Sequence, residues 1–160
     1  MRLLSNQIPR ASVRTTLTYR LHQRLSFGVE YNPRADDVGL LANVVAVTEG
    51  KRRPALIIGT SSDRIGTPSG RSIYATLSKN LSEFVKLPVA PYVGLAWGSY
   101  EHRFLAIGGL NINWREDLSS VVIFDGVKVH PTLTFNSGRH VFTFLLAQGK
   151  NPGGSYSISF

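Results

Sequence analysis

The sequence predicts an all-β protein, an antiparallel up-and-down meander that closes into a transmembrane β-barrel of about 10–12 strands. Three observations predict it. Apolar and polar residues alternate along most of the chain. Turn-forming clusters break that alternation at short intervals. Several alternating segments reach the roughly 9–11 residues a tilted strand needs to cross a bilayer, where soluble strands run nearer five or six.

A chain of 160 residues reads as a single domain over 1–160, either a small barrel in itself or the C-terminal part of a larger one. It contains no cysteine, which removes disulfides, thiolate metal sites and thiol nucleophiles. Lys+Arg 18 against Asp+Glu 10 gives a formal charge of +8, suited to nucleic acid, phosphorylated headgroups or anionic solutes. The longest apolar runs, such as Ala55 to Ile58 and Val121 to Phe124, are strand-sized and far too short for a membrane helix. The opening "MRLLSNQIPRASVRTT" lacks the apolar centre of a secretory signal peptide, which fits a processed leader, a longer chain or a cytosolic protein.

The strands follow in order. Val13, Thr15, Leu17, Tyr19 and Leu21 form one row, with Arg14, Thr16, Thr18 and Arg20 between them. Leu25, Phe27, Val29 and Tyr31 form the next, opposite Ser26, Gly28, Glu30 and Asn32, and "HQR" joins the two segments. Further strands are expected at Val38 to Val47, Pro54 to Gly59, Arg71 to Ser78, Val89 to Ser99 and Arg103 to Asn113. Ser119 to Phe124, Val127 to Phe135, His140 to Ala147 and Ser155 to Phe160 complete a count of eleven. A barrel of this kind needs an even number, and "LLSNQIP" is the candidate for a twelfth. The one helical signal, Leu77 to Leu87, is bounded by Pro88 and Pro91 and allows a single turn.

A meander of this size must become a sandwich or a closed barrel to avoid open edges. Strand length favours the membrane barrel, as does the placing of Tyr19, Tyr31, Tyr92, Trp97, Tyr100, Trp114 and Phe135 toward strand ends, where interfacial rings collect. In that case Leu17, Tyr19, Leu25, Phe27, Val29 and Tyr31 face lipid, and Arg14, Arg20, Arg24, Glu30, Lys128 and His130 face the lumen. Arg20 or Arg24 is expected to pair with Glu30.

The chain ends in "GGSYSISF", where Tyr156, Ile158 and Phe160 alternate with serines and the aromatic is the last residue. This ending resembles the terminal strand of bacterial outer-membrane β-barrel proteins. The resemblance implies outer-membrane localisation, contact with the lipid bilayer and lipopolysaccharide, and recognition of Tyr156, Ile158 and Phe160 by the barrel assembly machinery. Pro152 and Gly153 shorten the final strand to about six residues on this reading, against about nine or more in membrane-spanning strands. Counting back from a last strand that runs toward the periplasm, "GKNPGG", "DG", "YEHR", "SSDRIGTPSG" and "NPRADD" fall at one end. "NSGR", "WREDL", "LSEFVKLP", "TEGKRR" and "HQR" fall at the other.

No motif carries catalysis or a cofactor. His22, His102, His130 and His140 are scattered without metal-ligand spacing. "GTSSD" departs from the nucleophile pattern at Asp63, and "GTPSGRS" has the wrong glycine spacing and no following helix for a phosphate loop. The expected function is a narrow pore, or a structural or envelope-assembly component, with no enzymatic activity; an open lumen with this basic wall would favour an anionic solute. The alternatives are a soluble basic β-barrel that binds nucleic acid, or one that holds a small apolar ligand. Nucleic acid is disfavoured because the basic residues are dispersed over many turns.

Overall fold

The computed structural model describes residues 1–5 and 12–160. Twelve antiparallel strands in sequence order close into a barrel: β1 (Arg2–Leu4), β2 (Val13–His22), β3 (Leu25–Asn32), β4 (Asp37–Val47), β5 (Ala55–Ser62), β6 (Arg71–Ser78), β7 (Val89–Gly98), β8 (Arg103–Asn113), β9 (Leu118–Phe124), β10 (Val129–Ser137), β11 (His140–Ala147) and β12 (Asn151–Ile158). One turn of helix, α1 (Ser82–Val85), lies between β6 and β7. The twelfth member is the three-residue β1, which begins at Arg2 and takes in only the first two residues of "LLSNQIP"; the later part of that stretch, from residue 6, lies outside the described residues.

From β2 to β12 each strand pairs antiparallel with the next in sequence, with bulges in β2–β3 and β4–β5. Pairings such as Thr16 with Glu30, Asn43 with Gly59, His130 with Ile123 and Thr143 with Ser155 set the inward row. Both chain ends, α1 and the even-to-odd strand turns gather at what we call the terminal end. The 63–70 loop and the other described turns form the opposite end, which is the sorting expected from the sequence.

The final strand differs from expectation. It spans eight residues, because Pro152 and Gly153 are part of it: Pro152 faces Leu146 and its carbonyl accepts the Ser5 N–H at 2.9 Å. A proline is tolerated there because it lies at the beginning of the strand. Phe160 lies beyond the strand and is 99% exposed.

The hydrophobic arrangement is inverted relative to a soluble protein. Among the described residues only Leu4, Leu145 and Ala147 are buried apolar groups, whereas Leu17, Leu40, Val93 and Phe104 are 63–72% exposed. The outward rows carry no Asp, Glu or Lys between the end turns, and Arg71, at the end of β6, turns its guanidinium to Glu30 and Asp37. Outward aromatics lie in two bands. Tyr19, Phe27, Phe135, Phe142 and Tyr156 ring the terminal end, and Tyr31, Trp97, Phe104 and Phe124 ring the opposite end. Tyr19 meets Phe27 edge-on at 5.9 Å and Phe142 meets Tyr156 at 5.3 Å between ring centroids.

Closure rests on β1, which pairs with β12 at three positions and with β2 at two. Beyond those pairs, the edge of β2 that faces β1 has no strand partner from Thr15 to His22 among the described residues. The wall therefore lacks ladder pairing at this seam toward the terminal end. Even the inward-row residues Thr16, Thr18 and Arg20 are exposed there.

Candidate functional site: a plugged lumen

At the opposite end the β5–β6 loop, residues 63–70, folds into the barrel mouth and reaches across it to β1 and β11. Asp63 holds the loop: its carboxylate accepts the backbone N–H of Arg64 at 2.8 Å and of Tyr100 at 3.1 Å. Thr67, 1% exposed, donates from Oγ1 to the Arg64 carbonyl at 3.0 Å and so fixes the turn. Ile65 packs against the buried cluster of Leu4, Leu145 and Ala147, and its carbonyl accepts Nε2 of Gln148 at 3.2 Å. Arg64 is ion-paired with Glu101 in the β7–β8 turn.

Beside the plug, His130 is 1% exposed and links two turns. Its Nδ1 accepts the Gln148 backbone N–H at 3.0 Å, so the proton of the neutral ring belongs on Nε2, which donates to Asp125 at 2.8 Å. Both ring nitrogens are engaged by this arrangement. Asp125 also accepts the N–H groups of Val127 and Lys128. Burial works to raise its pKa, but the hydrogen bonds from His130, Lys128 and Val127 outweigh it and hold the carboxyl below its ordinary range.

A second polar cluster lies around Glu30, which is fully buried. It is ion-paired with Arg14 and approached by Arg71 at 3.7 Å, while Arg71 also binds Asp37 at 2.8 Å and the carbonyl of Val38. Asn32 donates to both carboxylates at 3.3 Å. The partners of Glu30 are thus Arg14 and Arg71. Arg20 lies too near the terminal end of the same row, and Arg24 lies in the β2–β3 turn, where its backbone N–H donates to His22 at 3.3 Å. Lys128 likewise differs from expectation: the Asp125 turn ends the strand before it, and its side chain is exposed at the rim rather than on the lumen wall.

Below the plug is a cavity of about 670 Å³ that extends to Ser78, at the terminal end of β6. Its wall is divided. Arg2, Arg14, Thr143 and Ser155 line the side near the closing strand, and Ile57, Ile107 and Ile123 line the far side with Tyr74 and Tyr92. The inward row is therefore polar on one half of the barrel and largely apolar on β7–β9, where Ala96, Leu105, Ile107, Val121 and Ile123 share the inward positions. Tyr92, expected at an outer girdle, is one of these inward groups because it shares a face with Gly94 and Ala96. Glycine makes room for the rings: a Cβ on Gly59 would fall 2.6 Å from the Tyr74 hydroxyl, and one on Gly109 would fall 2.5 Å from the Tyr92 ring. Both tyrosines consequently lie along the wall instead of filling the cavity, and Tyr74 donates its hydroxyl to Asn43.

Leu17, Tyr19, Leu25, Phe27, Val29 and Tyr31 occupy the outward rows of β2 and β3. Tyr156 and Ile158 stand on the outward row of β12, with Phe160 past its end. Sequence reasoning missed the plug, Arg71 and the apolar half of the lumen. In "SSDRIGTPSG" the one departure from ordinary loop composition is Ile65, an apolar residue among polar and turn-forming ones. Compared with known proteins, the chain matches no family model, no curated protein and no solved structure.

Proposed function

We propose that this chain is a bacterial outer-membrane β-barrel whose lumen is a gated narrow passage, closed at its outer end by the 63–70 loop. The observation that carries this reading is the uncharged outward belt bounded by two aromatic bands, with almost no apolar core inside. A soluble monomer with such a surface would expose far more contiguous apolar area than water tolerates, whereas a bilayer turns the same surface into the favourable one. The C-terminal pattern of Tyr156, Ile158 and Phe160 supports the same localisation and supports recognition by the barrel assembly machinery. The orientation that follows puts the plug outside and the terminal end, with Lys51, Arg52 and Arg53, at the periplasmic headgroups. The open edge of β2 fits this reading when water lies beside it, since a free strand edge is not stable against lipid tails.

The test is refolding from urea with and without detergent micelles, followed by circular dichroism and by heat-dependent mobility on a gel. A β spectrum and a mobility shift that require detergent are the expected result. A folded monomer without detergent overturns the proposal and returns the soluble ligand-binding or nucleic-acid-binding barrel.

A further inference from the structure

We infer that the cavity beneath the plug is a binding site for an uncharged, mostly apolar small molecule that carries a carbonyl or similar acceptor oxygen. This rests on the membrane reading above and names what the passage holds. The volume, about 670 Å³, lies in the range of small-molecule sites, roughly 300–1,000 Å³. A packed core would have filled this space with side chains, and a water-filled passage for small ions has no use for an apolar wall.

The charges around the cavity disfavour an ionic ligand. Arg14 is paired with Glu30, Arg64 with Glu101, and His130 is hydrogen-bonded to Asp125. Asp63 accepts two backbone N–H groups, and Arg2 is engaged as well. A charged head group would have to compete with a partner already in place, and breaking a buried pair is costly. A neutral molecule disturbs none of them.

The other half of the wall gives that molecule its place. In the inward row Gly94 stands between Thr76 on β6 and Ile107 on β8, and Ala96 is the next inward residue on β7. Neither adds more than a methyl group, so the wall is recessed between Ile107 and the rings of Tyr74 and Tyr92, with Ile57 and Ile123 beyond. Covering such apolar surface is favourable. The two tyrosines differ in their hydroxyls. That of Tyr74 donates to Asn43, whereas that of Tyr92 has no hydrogen-bond partner among the described residues and is not sealed off by its neighbours. Tyr92 therefore offers a donor on an otherwise apolar wall, which an acceptor oxygen on an apolar body satisfies.

The experiment uses the full chain in phosphatidylcholine nanodiscs, with benzophenone as a neutral photoreactive probe and its adducts mapped by peptide mass spectrometry. The competitors are methyl nonyl ketone, undecane, which lacks the oxygen, and decanoate, which adds a charge, compared at equal concentration in the lipid. The expected result is saturable labelling of inward residues of β7, β8 and β9, displaced by the ketone. Undecane should displace it about fivefold less well, the value of one net hydrogen bond, and decanoate at least about tenfold less well. Tyr92→Phe should erase the difference between ketone and alkane while the labelled residues stay the same. Ile107→Trp should abolish the inward labelling by filling the recess, and Ile73→Trp, on the outward row, should leave it unchanged. Decanoate competing as well as the ketone, or undecane as well as the ketone in the parent chain, overturns the inference, and neither comparison needs a variant to fold. Labelling that is confined to outward residues, that does not saturate, or that survives Ile107→Trp in a barrel with its heat-dependent mobility shift also overturns it. A chain that fails to show that shift in any lipid or detergent instead overturns the membrane reading on which it rests.

Discussion

Arg64 in the plug loop is ion-paired with Glu101 in the turn between β7 and β8, so the loop in the barrel mouth is latched to the rim from which it could swing away. The same carboxylate also binds Arg103 at 2.9 Å, which anchors the fixed side of the latch.

Breaking the latch should open the passage. Arg64→Ala removes the Glu101 contact, worth about 1.5–3 kcal/mol for a charge-assisted hydrogen bond, and frees one side of the loop. Planar-bilayer recordings should show small, infrequent currents for the parent chain and a several-fold rise in open time for the variant. Unchanged currents would assign the closure to the Asp63 and Gln148 contacts instead.

Acid should act in the same direction. The hydrogen bond from Arg64 is the largest influence on Glu101 and, together with Arg103, lowers its pKa despite burial; Asp125 is lowered as described above. A carboxyl with a depressed folded pKa contributes stability that is fully present above its unfolded pKa and is lost as pH falls through the folded one. Plug closure should therefore be constant through neutral pH and weaken below the ordinary carboxylate range of about 4. Current measured as a function of pH checks this, and Glu101→Gln should abolish the part due to Glu101.

Glu30 should be the most sensitive single position for barrel stability. Glu30→Ala leaves Arg14 and Arg71 without their shared buried partner, a change that costs about 3–5 kcal/mol. The midpoint of urea unfolding in micelles should fall accordingly, whereas Arg20→Ala, at the open end of the same row, should shift it little.

The two faces should respond oppositely to charge. Val93→Arg lies midway along an outward row and should cost about 2–4 kcal/mol in a bilayer, and Phe27→Asp should impair insertion. Normal insertion of Phe27→Asp would show that the outward face meets water.

Removing Phe160 should separate assembly from stability. Its side chain is almost wholly exposed and lies beyond β12, so the refolded barrel should keep its melting temperature. Yield in the outer membrane of cells should fall if the residue is read during assembly.

Much of the architecture was legible because alternation with period two, cut by turns, leaves little freedom in a meander. Arg71 to Ser78, Arg103 to Asn113 and His140 to Ala147 could be bounded from sequence to the residue. β1 could be suspected from the even count but not bounded, because three residues carry too little pattern. The extent of β12 was obscured by Pro152, which local rules place outside a strand and whose backbone need is met here by position. Of the candidate site, the facing of Arg14, Glu30 and His130 was legible from alternation alone. The plug was not, because Asp63, Thr67 and Gln148 meet only once the barrel is closed, and no local pattern encodes that meeting. Ile107 on β8 and Ile123 on β9 each alternate with outward apolar groups, so period two is locally lost around them.

The three-residue strand β1 also dictates the order in which the molecule can form. Eleven of the twelve pairings join neighbours in sequence, whereas the N-terminal amine of Met1 meets the carbonyl of Tyr156 across 155 residues at 2.7 Å. Local hairpins lose little chain entropy on forming and the distant contact loses the most. The sheet therefore grows by zipping and curls before it joins, and ring closure comes last. On unfolding the same joint parts first, so the barrel should fail by uncurling from its ends while its hairpins are still intact.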